Sequence, residues 1–276
     1  MSIRRAGAAC RECFPACICQ TGGIVAEQKK LVAYLNELLD VSNIPDSSCN
    51  GLQVEGVKEI KKIALSVDAC LGVYQKAVRE ECQMALVHHG IIWGGLTSIT
   101  GNIGRQIEYL LKNGLNLYAA HLPLDLHATM GNNIVIAKSL GLMDIKPFGR
   151  YRGILIGFKG VAQKSMTCED IGKAMQNAGL GGKFSILPFG KKENRTIAIV
   201  SGGGSDALNE AIDNNIDCFI TGESLHWNHH AALEGKINVV YCGHYHTETG
   251  GVKALGKHIE KEFGVETIFI DEPTIV

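Results

Sequence analysis

Two kinds of apolar pattern alternate along the chain. Continuous apolar runs at 63–67, 84–87 and 117–120 predict buried strands. Between and before them, segments such as 25–39 and 103–113 carry apolar residues at intervals of three and four, which is the spacing of an amphipathic helix. Strands that alternate with helices predict an α/β fold whose sheets are largely parallel.

Each of these three predicted strands is followed by residues of the types that serve as metal ligands in proteins. Asp68 follows the first run, His88 and His89 follow the second, and His121 with Asp125 follows the third. Ligands of parallel sheets bind outside the carboxyl ends of the strands, so these side chains are expected to meet at one edge. A pair of adjacent histidines by itself fits equally well one buried and one surface imidazole. The repetition on three strands favours a metal site.

A second group of metal-binding residues follows the apolar run at 237–242. His244 comes at the predicted strand end, and Glu248 is expected in the first turn of the next helix, beside that imidazole. The simpler alternative is that Glu248 only caps the helix. With the earlier residues, this set of nitrogen and oxygen ligands is too large for one closed tetrahedral zinc site and suits two divalent ions bridged by a carboxylate. Zinc, manganese, iron, nickel and cobalt all remain candidates.

Two segments rich in glycine or cysteine have open interpretations. The loop at 201–206, Ser-Gly-Gly-Gly-Ser-Asp, lies between a predicted strand and helix and is either a plain tight turn or a phosphate-binding loop. The first 23 residues carry Cys10, Cys13, Cys17 and Cys19, a spacing that matches no common zinc motif. We interpret them as an extension outside the folded domain, with a soft-metal site and a transit peptide as the alternatives.

Composition excludes some classes of partner. The 276 residues carry a net charge of −1 and no long basic run, so neither nucleic acid nor an anionic membrane is expected to be the main partner. No apolar stretch approaches the ~20 residues of a membrane-spanning helix. The cysteines beyond residue 23 lie mostly in apolar runs, which indicates free thiols and a reducing, cytoplasmic setting.

Five motifs occur in the order in which the NIF3-like family carries them. They are Asn50-Gly51-Leu52-Gln53, Val87-His88-His89-Gly90, His121-Leu122-Pro123-Leu124-Asp125, Ile220-Thr221-Gly222-Glu223 and the segment from Gly243-His244 to Glu248. Over residues 25–273 the chain therefore resembles that family, whose members are also labelled GTP cyclohydrolase 1 type 2 homologues. It departs from the family at Gly90, where members often have proline, and it is too short for the inserted middle domain that some of them carry.

The resemblance implies a NIF3-like fold with two α/β lobes and a dinuclear metal site between them, assembled into a homohexamer. The first lobe is expected to comprise 24–126 and 238–276, and the second 127–237. The metal ligands that the resemblance implies are His88, His89, Asp125, His244 and Glu248. The residues expected to line the site are His121, Glu223 and His230. The implied ligands are also the residues to which the strand ends and the second motif point.

Three hypotheses for function follow. The first is a metal-dependent hydrolase that acts on a small nucleotide-like or phosphorylated molecule, with His121, Glu223 and His230 as proton-transfer groups. The sequence has no guanine-reading motif that would select GTP. The second is a non-catalytic metal-binding scaffold or regulator that acts through protein contacts. The third is that the histidines are structural only.

Overall fold

The structure is a computed structural model that describes residues 25–96 and 98–274. Its strands, in chain order, are β1 (Ala26–Glu27), β2 (Gly51–Val54), β3 (Glu59–Ile60), β4 (Lys62–Asp68), β5 (Met84–His89), β6 (Asn116–Ala119), β7 (Leu142–Tyr151), β8 (Ile154–Met166), β9 (Ser185–Pro188), β10 (Asn194–Val200), β11 (Cys218–Thr221), β12 (Asn238–Tyr241) and β13 (Glu266–Phe269). Its helices are α1 (Gln28–Leu38), α2 (Leu71–Arg79), α3 (Gly101–Lys112), α4 (Leu122–Asp125), α5 (Asn132–Ser139), α6 (Cys168–Asn177), α7 (Leu208–Asp213), α8 (Asn228–Gly235), α9 (His244–Thr247) and α10 (Thr249–Phe263), with a 3₁₀ helix at Gly204–Ala207. The four cysteines of the first 23 residues, and the metal site considered for them, lie outside the described residues.

A five-stranded sheet carries the first three strand ends that bear candidate metal ligands. Its strand order is β13-β4-β5-β6-β2, with β2 antiparallel at one edge and the other four strands parallel. The central strands are apolar at almost every position, because helices cover the sheet on both faces. Helices α1 and α10 pack on one face, and α2 and α3 pack on the other.

A six-stranded sheet forms the second part of the framework, and β1 pairs with β3 in a separate two-stranded antiparallel sheet. Its order is β7-β8-β10-β11-β12-β9, in which β10, β11 and β12 are parallel and the flanking strands are antiparallel. Helices α5 and α6 cover one face, and α7 and α8 cover the other. The α/β class with largely parallel and mixed sheets is therefore confirmed: the first sheet is largely parallel and the second is mixed.

The chain passes between the two sheets near residue 244. Strand β12 pairs with β11 in the six-stranded sheet, whereas α10 packs against β4 of the other sheet and against α5. In this respect the sheet order differs from the expected boundary at residue 238, since 238–241 belongs with strands of the 127–237 segment. The division of the chain into two lobes stays a prediction.

Strands of both sheets direct their carboxyl ends toward the same space. Asp68 and His89 end β4 and β5, His121 follows β6, and His244 follows β12 of the other sheet. All four side chains line one cavity. These strand ends therefore meet at one edge, as the rule for ligands of parallel sheets predicts.

Several elements differ in detail from the sequence expectation. The first helix is Gln28–Leu38 rather than 25–39, and strands β7, β9 and β13 were not expected. Glu248 lies between α9 and α10 instead of in the first turn of a helix, and its side chain makes no capping hydrogen bond. Within the described residues, no helix combines the length and the apolar character needed to cross a membrane.

Candidate metal centre

The carboxylate of Glu248 lies at the middle of a cluster of imidazoles. Its Oε1 atom is 3.5 Å from His88 Nε2, and its Oε2 atom is 3.3 Å from both His89 Nε2 and His244 Nε2. His89 and His244 come from different sheets, yet their ring centroids are 5.4 Å apart. Glu248 lies at the junction between α9 and α10, shortly after the end of β12, and its carboxylate contacts histidines that follow strands of both sheets.

Two overlapping trios of ligand atoms share Glu248. The inner trio is His88, Asp125 and Glu248, and the outer trio is His89, His244 and Glu248; in each, the potential ligand atoms lie within 4.8 Å of one another. Within the inner trio, His88 Nε2 is 3.5 Å from Asp125 Oδ2. The geometry offers two adjacent places at which an ion could be held, with one carboxylate oxygen available to each.

His121 completes a third trio. Its ring nitrogen lies within 4.8 Å of those of His88 and His89, and its ring centroid is 5.1 Å from the ring of His88 and 5.5 Å from that of His89. The carboxylate of Asp46 lies on the opposite side of the His121 ring, 2.9 Å from Nδ1. His121 therefore turns its second nitrogen toward the histidine pair.

The same arrangement holds at every imidazole of the cluster. Each Nδ1 atom lies against an outer acceptor, which leaves Nε2 directed inward. The pairs are His88 with the Ala120 carbonyl at 2.8 Å, His89 with Asp68 at 2.8 Å, His121 with Asp46 at 2.9 Å and His244 with Glu223 at 3.3 Å. An outer acceptor that fixes the ring and its tautomer in this way is typical of histidines that bind metal ions.

Asp46 is a candidate site residue that the sequence analysis missed. Its side chain is 2% exposed, and it accepts hydrogen bonds from the backbone amides of Ser48 and Leu122 and from the Asn50 side chain as well as from His121. Burial alone would raise the pKa of this carboxyl, but the bond and the charge of His121, helped by the other donors, lower it to about 2. The Asn50-Gly51-Leu52-Gln53 motif, which follows Asp46 in the sequence, is the pattern that pointed to this loop.

The positive and negative charges of the cluster balance one another. Burial, which alone lowers the pKa of an imidazole, is outweighed at His88 by the negative charges of Asp125 and Glu248, which raise its pKa to about 10. At His244, Glu248 and Glu223 likewise outweigh burial and raise the pKa to about 9. The surrounding imidazoles overcome the effect of burial on Glu248 and hold its pKa well below the usual range. Protons on the imidazoles thus neutralise the carboxylates, and a cation can take their place.

Two buried atoms of the cluster fit a bound cation. His88 Nε2 and Glu248 Oε2 are inaccessible to solvent and have no hydrogen-bond partner within the described part of the chain. Buried polar atoms are almost always paired, so two unpaired atoms at the centre of one cluster call for an explanation. The mixed nitrogen and carboxylate donors suit zinc, manganese, iron, nickel or cobalt. The residues present therefore fit a metal ion.

The glycine loop at 201–204 packs directly against this cluster. Gly202 has φ +59°, and a Cβ atom on it would overlap Oε1 of Glu248. Its amide donates to Thr247 Oγ1 at 3.0 Å, and the Ser201 amide donates to Asn133 Oδ1 at 2.7 Å. These two amides are already paired and so are not available to a phosphate, whereas Gly203 and Gly204 of the same loop line the cavity beside the cluster.

The remaining residues expected at the site lie in different surroundings. Glu223 contacts His244, as described above, and lies at the edge of the cluster. His230 is exposed on α8, where its ring packs edge-on against that of His229 at 5.3 Å. It is not among the residues that line the cavity beside the cluster. The position of His230 gives no support to its expected role at the site.

A cavity of about 580 Å³ opens beside the outer trio. His89, His121 and His244 form one wall. Other lining residues come from the loop after β5 and from the end of β7, namely Trp93, Arg150 and Tyr151. A cavity of this volume can hold a ligand of nucleotide size in contact with the cluster.

Comparison with known proteins agrees with this fold. A family model described as Duf34/NIF3 (NGG1p interacting factor 3) matches residues 26–274. The chain belongs to the Duf34/NIF3 family. The sequence resemblance to this family and the NIF3-like fold are both confirmed.

Relatives in the Duf34/NIF3 family match this chain over most of their length. An Archaeoglobus fulgidus protein named GTP cyclohydrolase 1 type 2 homolog is 43% identical over 89% of this chain and 98% of its own. A Pyrococcus abyssi protein of the same name is 42% identical over 90% of this chain and 99% of its own. Among solved structures, TTHA1606 from Thermus thermophilus shares 38% identity and a TM-score of 0.84, covering 91% of this chain and all of that chain (100%). The protein ybgI, described as of unknown function, shares 30% identity with a TM-score of 0.85, covering 91% of this chain and 100% of its own.

Proposed function

We propose that this NIF3 protein holds two divalent metal ions and hydrolyses a small nucleotide-like or phosphorylated molecule. The observation that carries the proposal is the position of Glu248 between the two trios, with buried atoms that lack partners among the described residues. The ligands proposed for the inner ion are His88, Asp125 and Glu248. The ligands proposed for the outer ion are His89, His244 and Glu248. The native ion is zinc, manganese, iron, nickel or cobalt.

The proposed ligands of the inner and outer ions differ in their exposure to solvent. Such ions, when bound, would supply Lewis acidity and lower the pKa of water beside them. The inner residues are enclosed, because the side chains of His88 and Asp125 are 0% and 8% exposed. The outer histidines face the cavity and are 19% and 27% exposed. A substrate therefore reaches the outer place first.

His121 is the residue placed to move a proton. The Asp46 carboxylate accepts a hydrogen bond from Nδ1 of His121, which keeps a proton on that nitrogen and leaves Nε2 as the nitrogen that can exchange a proton with the cavity. That nitrogen can take a proton from a group in the cavity. Glu223, 43% exposed beside His244, orients that imidazole and can exchange protons with solvent.

The relatives' names and the cavity favour a nucleotide-like substrate. Proteins 42–43% identical to this chain are named GTP cyclohydrolase 1 type 2 homolog. Arg150 is the only lysine or arginine among the described residues that line the cavity, and it offers a positive charge to a phosphate. We also propose the homohexamer that the family resemblance implies, which the mass of the protein in solution tests.

A screen of the metal-loaded protein tests the proposed function. Protein loaded separately with each of the five metals is incubated with nucleoside phosphates and simple phosphoesters, and products are separated by chromatography. We expect hydrolysis of at least one nucleotide, and we expect His121→Ala to lose turnover by about 10²-fold or more while it keeps its metal. Full metal loading without turnover of any compound would contradict the hydrolase and favour a non-catalytic metal-binding scaffold.

Two matched variants test whether Asp46 acts through His121. Asp46→Asn removes the carboxylate behind His121, whereas Asp217→Asn removes a carboxylate of equally low pKa, about 2, that pairs with Lys191. Both are expected to lower the melting temperature. Only Asp46→Asn is expected to lower turnover, by about 10- to 100-fold, as loss of an outer partner does at metal sites. Equal turnover in the two variants would assign Asp46 a structural role alone.

A further inference from the structure

Trp93 is an exposed aromatic residue at the edge of the metal cavity, and the proposed chemistry gives it no role. Its side chain is 42% exposed although it is the largest apolar group that lines the cavity. A cavity lined by aromatic side chains together with a few polar groups is typical of a ligand-binding site. The other tryptophan of the chain, Trp227, is 37% exposed but does not line the cavity.

The indole of Trp93 is held in one orientation. Its Nε1 atom donates to the Gly90 carbonyl at 2.9 Å, so the polar edge of the ring points into the protein. The backbone of Trp93 forms a β-bridge with Ser48, and the next amide, that of Gly94, donates to the Ser47 carbonyl at 2.7 Å. A ring fixed at its polar edge and its backbone loses little further freedom when a ligand packs on it.

Two histidines of the cluster, His89 and His121, lie beside the indole. The ring centroid of His121 is 5.0 Å from that of Trp93 at an interplanar angle of 74°, and the ring of His89 is 6.0 Å away. Both imidazoles lie close to the indole, yet Trp93 is still 42% exposed among the described residues, and this exposed area is available to another flat group. A ring packed on this area would lie next to the outer trio.

We propose that Trp93 is a stacking platform for the planar heteroaromatic ring of a ligand whose other end reaches the metal cluster. The inference rests on the proposed function for the position of the reacting end, and it adds a contact with the planar ring at the other end of the ligand. Stacking of a base on an aromatic side chain tolerates many bases, because every base has a π-face. This agrees with a sequence that has no guanine-reading motif.

Fluorescence of a single-tryptophan variant is the first test. Trp227→Phe leaves Trp93 as the only tryptophan of the chain. The zinc-loaded variant is titrated with GTP, ATP, CTP and UTP, and with ribose 5-phosphate as a probe that lacks a base. We expect at least one nucleotide to quench Trp93 and ribose 5-phosphate to leave its emission unchanged. Absence of quenching by all four nucleotides would overturn the proposal.

Affinities of matched variants are the second test, measured by calorimetry on zinc-loaded protein. Trp93→Leu is expected to weaken nucleotide binding at least about fivefold, whereas Trp227→Leu changes nothing and Trp93→Phe keeps most of the affinity. Ribose 5-phosphate should bind all four proteins equally. Equal nucleotide affinity of Trp93→Leu and its parent, or a change only in the oligomeric mass of Trp93→Leu, would overturn the proposal.

The two proposals fail in different ways. Nucleotide binding that depends on Trp93 without turnover of any compound would leave the stacking platform standing and contradict the hydrolase. Turnover of a phosphoester that Trp93→Leu leaves unchanged, with no nucleotide quenching, would contradict only the platform.

Discussion

The inner and outer trios share one carboxylate but differ in their surroundings. In the inner trio, the His88 side chain is 0% exposed and Asp125 is 8% exposed. Asp125 accepts hydrogen bonds from Asn132 at 2.8 Å and from Ser201 at 3.2 Å, both of which belong to the buried part of the chain. The inner trio is therefore more deeply buried than the outer one, although Asp125 and Glu248 also line the cavity.

The outer trio is supported by groups that solvent can reach. His89 lies against Asp68, which is 33% exposed, and His244 lies against Glu223, which is 43% exposed. Carboxylates in water hold an imidazole less firmly than buried ones do, because solvent screens the pair. We expect a tightly held ion in the inner place and a more exchangeable ion, open to substrate, in the outer place.

Glu248→Gln should have the largest effect, because this carboxylate serves both trios. The variant keeps the shape of the side chain and removes the charge, so we expect it to lose both ions in elemental analysis after gel filtration. Glu234→Gln, an exposed glutamate on α8, is the matched control and should keep both. Full metal content in Glu248→Gln would contradict the shared-carboxylate arrangement.

Removal of one ligand from each trio should separate the two ions. Asp125→Ala is expected to lose the inner ion, and His244→Ala the outer ion, so each variant should retain about half of the metal content of the parent. Circular dichroism checks that the fold survives. If His244→Ala lost all metal while Asp125→Ala kept half, the ranking of tight and exchangeable places would be reversed.

Gly202→Ala tests whether the glycine loop fixes the shared carboxylate. The added Cβ overlaps Glu248 Oε1, so we expect metal affinity to fall by about 10- to 100-fold, as when a supporting contact of a ligand is lost. Gly141→Ala is the matched control, since Gly141 has φ +64° and no atom within 4 Å of such a Cβ. Both substitutions strain the backbone by roughly 1–2 kcal/mol, but only the first should affect metal binding.

The metal-free protein should show a smaller effect, a loss of stability as pH rises. The folded pKa values of His88 and His244, about 10 and about 9, lie above the ordinary value of 6.5. Their stabilising contribution is therefore complete below pH 6.5 and is lost as pH rises through 9 to 10. Metal binding displaces these protons, so metal affinity should increase over the same range. Urea midpoints of chelator-treated protein that rise from pH 6.5 to 10 would contradict this balance.

The sequence predicts the parts of the site that depend on local pattern. Apolar runs end at Asp68, at His88 with His89 and near His121, and the parallel-sheet rule then brings these ends together. His244 and Glu248 follow β12 of the other sheet, and the apolar run before His244 already pointed to them as candidate ligands. The order of the family motifs implied the same set of residues.

Other features depend on contacts that no local pattern records. Asp46 lies on an irregular loop 75 residues from His121, and its role follows only from the fold. Strand β7 alternates poorly between buried and exposed positions, because it lies at the edge of the second sheet and is interrupted by an irregularity between Met143 and Lys146. The overlap of Gly202 with Glu248 is likewise a contact between distant segments.

Anomalous X-ray scattering from crystals of the zinc-loaded protein tests the two-ion arrangement most directly. We predict two peaks, one beside His88 Nε2 and Asp125 and the other beside His89 Nε2 and His244 Nε2, each about 2.0–2.2 Å from an oxygen of Glu248. A single peak, or peaks that do not contact Glu248, would contradict the shared carboxylate on which the proposed function depends.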